Sequence, residues 1–308
     1  MSETLDGIIN VNKEAGYTSF DVIAKLRGIL KTRKMGHAGT LDPAATGVLV
    51  VCVGRATKLC EFMLEKEKMY EAVILPGTET DTEDMTGKIL KTGGRKITKE
   101  ELLRAAEHFT GPYEQMPPMY SAIQVDGKRL YDLARKGIEV ERTKRPVEIY
   151  ENTVISVTTD EEGYVAEATL RVRCSKGTYI RSLLRDMGDW LGCGACMKAL
   201  KRTAAGVFTL DRALTLSEIE EARDAGNLSK VIVPIDTMLS KYRSITVSKE
   251  WERFLYNGNA LEKKMLTTGI VPEDFEGFRV YDSNREFLGF YRYVKAKKCF
   301  VAEKMFLP

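Results

Sequence analysis

Residues 35–53 constrain the fold of this 308-residue chain more than any other segment. The segment opens with MGHAGTLDPAATG, a run of small residues around the pair Asp42-Pro43, and continues into the apolar stretch VLVVCV. Proline fixes φ and biases the preceding residue towards extended geometry, so residues 35–47 are predicted to form a tight loop. An unbroken apolar run of this length is typical of a strand buried on both faces. The chain must therefore cover both sides of a sheet.

The other periodicities predict a mixture of helices and strands. Their order lacks the regular βαβ alternation of a doubly wound fold, so we expect an α+β class with a large mixed sheet and flanking helices. Short β-like segments from about residue 244 onwards predict a small all-β C-terminal domain. The predicted strands are 7–11, 48–53, 70–75, 147–157, 164–172, 277–281 and 287–294, and the predicted helices are 19–30, 56–64, 99–109, 178–191 and 216–225.

The composition is that of a globular protein, with 44% hydrophobic and 30% charged residues. No apolar run approaches the length needed to span a bilayer. The N-terminal segment from Met1 to Asp6 is acidic and lacks the basic-then-apolar order of a signal peptide. We therefore expect a cytoplasmic protein.

The distribution of charge is more informative than the formal net charge of +3. Basic residues cluster in three runs that are interleaved with tyrosines, which favours a polyanionic partner such as RNA. Acidic residues gather elsewhere, in the segment around Asp81 and Asp84. The basic runs comprise Lys25, Arg27, Lys31, Arg33 and Lys34; Lys128, Arg129, Arg135, Lys136, Arg142, Lys144 and Arg145; and Arg171, Arg173, Lys176, Arg181 and Arg185, followed by Lys198, Lys201 and Arg202.

Cys193 and Cys196 form a C-x-x-C that is compatible with a redox pair or with half of a zinc site. The chain has no second C-x-x-C and only two histidines, His37 and His108. We therefore interpret the pair as two small thiols packed in a glycine-rich turn, and we expect no metal site.

Asp42 is open to two interpretations that the residue itself leaves nearly even. An Asp-Pro pair often only initiates a surface turn, whereas a loop placed against a rigid strand is a common location for catalytic groups. The density of small residues around Asp42 favours the second interpretation, because close approach of a large ligand to the backbone requires them.

The run GHAGTLDPAATGVL at 36–49 resembles the signature of the TruB family, the bacterial tRNA pseudouridine(55) synthases. The resemblance extends over about residues 7–240 and carries several further motifs in the family's order. These motifs are Lys68-x-Tyr70, Thr80-Asp81-Thr82, Gln115-x-Pro117-Pro118-x-Tyr120-Ser121-Ala122, Cys174-Ser175-Lys176-Gly177-Thr178-Tyr179-Ile180-Arg181, Leu191-Gly192-x-Gly194-Ala195 and Arg202-Thr203-x-x-Gly206.

The resemblance implies the pseudouridine synthase fold, with a mainly antiparallel sheet. It implies a catalytic domain at 1–240, with an RNA-clamping insertion around 115–145, and a PUA-like RNA-binding domain at 241–308. The implied reaction isomerises uridine to pseudouridine in the T-loop of tRNA after base flipping. Because atoms are only rearranged, it requires no cofactor. We expect tRNA as the partner, no membrane and no required protein partner, and a monomer.

Three residues are implied to be catalytic. Asp42 acts on the sugar, either by attack on C1′ or by removal of the 2′ proton, and both roles remain open. Arg181 pairs with this carboxylate, and its charge is expected to lower the pKa of Asp42. Tyr70 stacks on the target uracil, and its hydroxyl assists removal of the C5 proton.

Substrate-binding roles are implied for residues near these three. His37 is expected to occupy the space that the flipped nucleotide vacates, together with Gly39, Thr40 and Tyr179 around the substrate. Lys13 is expected to support this group, although Glu14 replaces the proline that usually follows it in the family. Gln124 stands where many members have lysine.

Two rival functions lie outside this class of enzyme. A non-catalytic tRNA-folding or RNA-binding protein that retained the fold would not need the Asp42 carboxylate. A glycosidase-like hydrolase would need a second carboxylate, and Asp81 or Asp84 could be nominated, although their acidic segment would repel RNA. A relative directed by guide RNA would keep the chemistry, but the short C-terminal module and the lack of long basic tails favour a stand-alone enzyme.

Overall fold

The structure, a computed structural model, describes residues 5–121, 123–125, 127–138 and 140–307. Ala122 of the proline-containing motif and residues Met1 to Thr4 of the acidic N-terminal segment lie outside these ranges. In the part of the chain that is described, no helix is both long and apolar enough to cross a membrane.

Strands dominate the architecture. The strands are β1 (Gly7–Lys13), β2 (Met35–Ala38), β3 (Thr46–Val53), β4 (Lys68–Pro76), β5 (Thr78–Thr80), β6 (Ile89–Thr92), β7 (Gly111–Gln115), β8 (Gln124–Val125), β9 (Lys128–Arg129), β10 (Arg145–Thr159), β11 (Val165–Cys174), β12 (Ala195–Ala205), β13 (Phe208–Thr209), β14 (Arg243–Thr246), β15 (Leu261–Glu262), β16 (Gly277–Tyr281), β17 (Phe287–Val294) and β18 (Cys299–Met305).

Helices lie between these strands. The α-helices are α1 (Ser19–Leu30), α2 (Cys60–Leu64), α3 (Lys99–His108), α4 (Leu130–Ala134), α5 (Ile180–Leu191), α6 (Leu216–Asp224), α7 (Leu228–Val231) and α8 (Glu252–Tyr256). Short 3-10 helices are Gly54–Leu59, Leu210–Arg212, Ile235–Leu239, Lys249–Trp251, Lys263–Met265 and Lys295–Lys297.

The main sheet has nine strands, in the order β1-β3-β12-β4-β11-β10-β7, with β2 added to β3 and β13 added to β12. The pair β3–β12 is parallel, and the other pairs described in this sheet are antiparallel. The predicted α+β class with a mixed, mainly antiparallel sheet is therefore confirmed.

The strand β3 is buried on both faces, as its unbroken apolar sequence predicts. Leu49 and Val51 pack with α1 and α6 on one side, whereas Val48 and Val50 pack with the 54–63 segment on the other. A third core lies between β4, β10 and β11 on one side and the helices α3 and α5 on the other. The sheet is thus covered by helices, and this covering fixes the position of the loop before β3.

Two predictions of local structure were wrong, and one strand was missed. Residues 35–38 form β2 rather than the start of the loop, because they gain ladder hydrogen bonds to β3. The first half of the helix expected at 56–64 is a 3-10 helix. The central strand β12 was not predicted at all, since its sequence ACMKALKRTAA lacks β-branched alternation and is extended only because partners lie on both sides.

The second sheet has the order β14-β16-β17-β18-β15 and its own core. The predicted strands at 277–281 and 287–294 are confirmed as β16 and β17. After β18 the chain returns to the main body, where Phe306 is fully buried beside Leu59 and Met63. Arg55 fixes this return, donating from Nη1 to the carbonyl of Phe306 at 2.8 Å while its Nε pairs with Asp6 at 2.7 Å.

We predict that Phe306→Ala lowers the free energy of unfolding by about 3–5 kcal/mol, because it removes a buried aromatic ring and leaves a cavity. Chemical denaturation followed by circular dichroism measures this change. The matched control is Phe275→Ala, which alters a side chain that is 64% exposed and should change stability by less than about 0.5 kcal/mol. Equal losses in the two variants would contradict the packing of Phe306.

Candidate active site

A single row of paired residues crosses the main sheet beside the Asp42 loop (residues 39–45). Lys13 on β1 pairs with Gly47 on β3, Gly47 pairs with Arg202 on β12, and Arg202 pairs with Tyr70 on β4. Residues directly opposite each other on neighbouring strands point to the same face. Residues that are far apart in sequence therefore share one face, next to the loop that carries Asp42.

Lys13, on β1, is hydrogen-bonded to the backbone of the Asp42 loop. Its side chain is buried, and its ammonium donates to the carbonyls of Pro43 at 3.1 Å, Ala45 at 2.7 Å and Glu14 at 3.0 Å. Burial lowers the pKa of Lys13 to about 8, against an opposing effect of Asp42. Lys13 was expected to support the substrate-binding residues, and its three contacts with backbone carbonyls are consistent with such a supporting role.

Ser19 holds the residue before Asp42. Its hydroxyl accepts from the backbone N–H of Leu41 at 2.9 Å and lies 3.2 Å from the carbonyl of the same residue. Thr18 is the N-cap of α1 and forms a capping box with Asp21, so the Ser19 hydroxyl is available for the loop. The first residue of α1 thereby holds the backbone next to the Asp42 carboxylate.

Two glycines are required where the loop meets the sheet. At Gly47, with φ +98°, a Cβ would lie 2.2 Å from the carbonyl oxygen of Arg202, so only glycine lets β12 approach β3. At Gly39, with φ +93°, the carbonyl accepts from Nη2 of Arg202 at 3.0 Å. Both ends of the loop are therefore fixed against the same arginine.

Arg181 forms a two-point ion pair with Asp42, as expected. Its Nε lies 3.1 Å from Oδ2 and its Nη2 lies 3.3 Å from Oδ1. The arginine side chain is only 7% exposed, whereas that of the aspartate is 36% exposed. The pair thus presents a carboxylate towards solvent from a buried cation.

The remaining donors of Arg181 fix its orientation. Nη1 donates to the carbonyl of Thr82 at 3.0 Å, and Nη2 donates to the carbonyl of Tyr120 at 2.9 Å. Nη1 also lies 3.8 Å from Oδ2 of Asp84. Arg181 therefore joins the Asp42 loop to two other segments of the chain.

The acidic segment, which is separate from the basic runs in the sequence, lies beside Arg181 and Asp42 in the structure. Asp84 is buried, and its Oδ1 accepts from the backbone N–H of Thr86 at 2.9 Å and from the hydroxyl of Thr82 at 2.8 Å. Glu83 is also buried and contacts Ser182 and Arg185. These acids add to the neutralisation of the α5 cations, since Arg181 also pairs with Asp42 and Arg185 also pairs with Asp186.

The pKa of Asp42 is raised above its ordinary value, so the expected lowering was wrong in its net direction. Burial is the largest cause, and it outweighs the opposing attraction of Arg181. Asp84 adds to the increase, whereas Lys13 opposes it. The structure thus makes the carboxylate more basic than a free aspartate.

Tyr70 and His37 lie on the sheet beside the loop. Tyr70 is buried on β4, and burial raises the pKa of its phenol against the opposing charge and hydrogen bond of Arg202. His37 is half-buried on β2, and burial together with Arg202 lowers its pKa. A neutral imidazole is therefore favoured, which suits contact with a nucleobase.

Tyr179 and Thr40 complete the set of predicted site residues. Gln115 fixes the backbone of Tyr179 from both sides, since its amide accepts from the N–H at 2.8 Å and donates to the carbonyl at 3.0 Å. Burial raises the pKa of Tyr179, and Asp42 adds to that increase, so the ring lies within range of the carboxylate. Thr40 is exposed on the loop.

The third basic run does not form one continuous solvated face. Arg181 and Arg202 are buried and Arg185 is half-buried, whereas Arg171, Lys176, Lys198 and Lys201 remain exposed. The cysteines of the C-x-x-C, Cys193 and Cys196, are both buried and free. Within the described residues, no group of three or more His, Cys, Asp or Glu side chains is placed to hold a metal ion.

Comparison with known proteins identifies the family. The model of the TruB family pseudouridylate synthase N-terminal domain matches residues 27–180, and that of the tRNA pseudouridylate synthase B C-terminal domain matches residues 181–240. The chain belongs to the TruB family. This family catalyses the isomerisation of uridine to pseudouridine, and the predicted resemblance is confirmed.

Relatives that share this TruB sequence cover nearly the whole chain. A protein of Lachnoclostridium phytofermentans named tRNA pseudouridine synthase B is 50% identical, over 98% of this chain and 100% of its own length. Proteins of the same name from Clostridium kluyveri and Clostridium perfringens are 42% and 40% identical, over 92% and 98% of this chain and 94% and 99% of their own lengths.

Solved structures confirm the fold of this TruB chain. A chain of a Cbf5-Nop10-Gar1 complex superposes with a TM-score of 0.71 at 23% identity, covering 98% of this chain and 85% of that chain. A chain of an H/ACA RNP bound to a substrate RNA containing 2′-deoxyuridine superposes with a TM-score of 0.69 at 22% identity, with the same coverage.

Sequence reasoning missed the parts played by Ser19, Asp84 and Arg202 in this TruB site. A usable signal existed for Ser19, because one hydroxyl is enough for the N-cap and the Thr18-Ser19 pair supplies two. Arg202 was assigned to an RNA-facing run, although its neighbours in KALKRTAAG are mostly small. For Asp84, only the tertiary approach of α5 distinguishes it from a surface acid.

We predict that Ser19→Ala lowers kcat by about 10-fold to 100-fold with little change in KM, because a small displacement of a reacting group costs about this much. Loss of the hydroxyl frees the Leu41 backbone and with it Asp42. Steady-state kinetics on uridine-containing tRNA measures both constants. The control is Ser217→Ala, which alters an exposed serine on α6 and should leave both constants unchanged. A change confined to KM would contradict the positioning role.

We predict that Asp84→Asn moves the acid limb of the pH profile of kcat/KM to lower pH. Asp42 must be ionised in either chemical role, and its raised pKa makes activity fall as pH decreases through that value. Removing the negative charge of Asp84 takes away one cause of the increase, so ionisation persists to lower pH. The exposed acid Asp81 provides the control, since Asp81→Asn should leave the limb in place. A limb that moves to higher pH would refute this electrostatic assignment.

Proposed function

We propose that this protein converts the uridine at position 55, in the T-loop of tRNA, to pseudouridine, with Asp42 as the catalytic carboxylate. The observation that carries the proposal is the two-point ion pair between Asp42 and Arg181 at 3.1 and 3.3 Å, in a loop fixed beside Tyr70. A carboxylate that is oriented, more basic than usual and open to solvent is suited to act on a sugar carbon or on its 2′ proton. Both roles use the same geometry.

The reaction cleaves the N1–C1′ bond, turns the uracil and joins C5 to C1′. The C5 proton is lost and N1 gains a proton, so the atoms balance without a second substrate. Arg181 keeps Asp42 ionised and oriented through its charge and its fixed donors. The roles of Tyr70 and of the other site residues are part of this proposal.

Base flipping is required because the sugar of a nucleotide inside a folded loop cannot otherwise reach Asp42. We infer that His37 contacts the space left by the flipped nucleotide, since it lies half-buried on β2, two residues before Gly39. The aromatic face of Tyr70 supports the flipped uracil. Gly39, Thr40 and Tyr179 are assigned to substrate binding around them.

We infer a catalytic domain at 1–240 and a PUA-like RNA-binding domain at 241–308. The separate five-stranded sheet, which begins at Arg243, supports this boundary. The segment around 115–145 is assigned to clamping of the RNA arm. Its base is anchored next to the catalytic pair, because Arg181 and Arg185 donate to the carbonyls of Tyr120 and Met116.

Transfer RNA is the inferred substrate, and the relatives named tRNA pseudouridine synthase B support this inference. The exposed residues Lys25, Lys31, Arg33 and Lys34 supply positive charge after and along α1. We further infer a cytoplasmic monomer that needs no protein partner, because the residues assigned to the chemistry all come from one chain.

The hydrolase alternative is disfavoured by the environment of Asp84. A second catalytic carboxylate must reach a water molecule beside the substrate. The side chain of Asp84 is only 10% exposed, its Oδ1 is occupied by threonine donors, and its Oδ2 faces Arg181. Asp84 is therefore placed to orient Arg181 rather than to activate water.

We predict that the purified protein releases tritium from tRNA carrying [5-³H]uridine, and that mapping places the pseudouridine at position 55. Asp42→Asn should abolish release while tRNA binding, measured by filter retention, is kept. The matched control is Asp211→Asn, which alters a side chain that is 76% exposed and should leave release unchanged. Full turnover by Asp42→Asn would contradict the catalytic role of Asp42. Absence of tritium release with the wild-type protein would support the non-catalytic alternative, and free uracil among the products would support the hydrolase.

A further inference from the structure

Arg202 is the largest of the fully buried side chains, with 1% of its surface exposed. Its Nε donates to the carbonyl of Val48 at 2.7 Å, and its Nη2 donates to the carbonyl of Gly39 at 3.0 Å. It is paired across the sheet with Tyr70, and its charge opposes the rise in the pKa of the Tyr70 phenol. One guanidinium thus contacts strand β3 and the Asp42 loop, from the residue directly opposite the tyrosine assigned to the uracil.

The positive charge of Arg202 has no carboxylate partner within ion-pair distance among the residues that the structure describes, in contrast to Arg181 and Arg185. Burial of a cation without a counter-ion is costly. Neutral carbonyls satisfy its hydrogen bonds but leave its charge uncompensated. Apolar side chains could join these strands without the free-energy cost of removing a charge from water. The presence of a charge at this position therefore requires an explanation.

The titratable groups around Arg202 indicate which side chains its positive charge affects. Its field acts on His37, Lys13 and Lys68, which are neutral or positive, and on Tyr70 and Cys174, which become negative when they ionise. Cys174 is buried at 1% exposure. The groups that act on the pKa of the Tyr70 phenol are Arg202, Cys174 and Asp42, and Arg202 is the cation among them.

We propose that Arg202 is a positioning residue that holds the Tyr70 hydroxyl against the target uracil and offsets the negative charge on its oxygen while the C5 proton is removed. The inference rests on the proposed function. In this step the C5–H bond breaks and its electron pair restores the C5–C6 double bond. The proton passes to the phenolate oxygen of Tyr70, whose own proton has left to solvent. A fixed cation beside the oxygen stabilises the phenolate that must form before this transfer, and so raises the fraction of Tyr70 that can act as the base.

The test compares tRNA carrying [5-¹H]uridine or [5-²H]uridine at the target position in single-turnover assays of pseudouridine formation. With Arg202→Lys, which keeps the charge but cannot span the two carbonyl acceptors, we expect the rate to fall by about 10-fold to 100-fold, part of the roughly 10²–10⁴-fold that a positioned acid–base group supplies. A primary isotope effect larger than that of the wild-type protein should accompany this fall. Arg202→Gln, which lacks the charge, should show an equal or larger effect.

The matched control is Arg223→Met. It also removes a guanidinium that donates to a carbonyl, that of Ile29, but on the helix α6 and away from the site. This variant should show neither the slowing nor the isotope effect. All variants are assayed below their melting temperatures, with folding checked by circular dichroism.

A double-mutant comparison separates action through Tyr70 from general damage. If Arg202 acts through the phenol, Arg202→Lys should slow a Tyr70→Phe protein much less than it slows the wild type. Equal slowing in both backgrounds, or slowing with no increase in the isotope effect, overturns the inference while the proposed function stands. Absence of pseudouridine with the wild-type protein overturns the proposed function and this inference with it.

Discussion

The ion pair between Asp42 and Arg181 is the interaction on which the rest of the site depends. Its two contacts, at 3.1 and 3.3 Å, join the loop before β3 to the helix α5. Through the remaining donors of Arg181, the same pair reaches the turn at Thr82 and the start of the insertion at Tyr120. Four segments that are distant in sequence therefore meet at one guanidinium, and displacement of any of them alters the geometry of the carboxylate.

The electrostatics of the site follow from the balance between burial and these contacts. Two buried cations, Lys13 and Arg181, act on the Asp42 carboxylate, and a third, Arg202, contacts the loop that carries it, yet burial still raises the pKa of Asp42. Each cation has a different task, because their partners differ. Lys13 binds loop carbonyls, Arg181 binds the carboxylate, and Arg202 lies between the loop and Tyr70. The loop consists of small residues and has little side-chain packing of its own. Hydrogen bonds from the buried side chains of Lys13 and Arg202 to its carbonyls hold its backbone in place instead.

The strands and helices with strong local patterns were predicted well. The double burial of β3 follows from its unbroken apolar run, and the start of α1 follows from Thr18 and its capping box. The strand β12 was missed because alanine and lysine carry little β preference, and only pairing with β3 and β4 makes the segment extended. The same omission hid Arg202, since its burial follows from the position of β12 and not from its own sequence context.

The sequence by itself determined the family, the class of fold and the position of Asp42, because a long ordered signature and local periodicity are properties of neighbouring residues. Tertiary structure alone decided the direction of the Asp42 pKa shift, the approach of Asp84 to Arg181, and the row that places Lys13, Arg202 and Tyr70 on one face. These features depend on strand register and on burial, which arise from contacts between segments far apart in the chain. Arg181 and Arg202 belong to a basic run that a linear sequence suggests is solvated. Their electrostatic effect on Asp42 and Tyr70 arises because the surrounding sheet and helices exclude water from them.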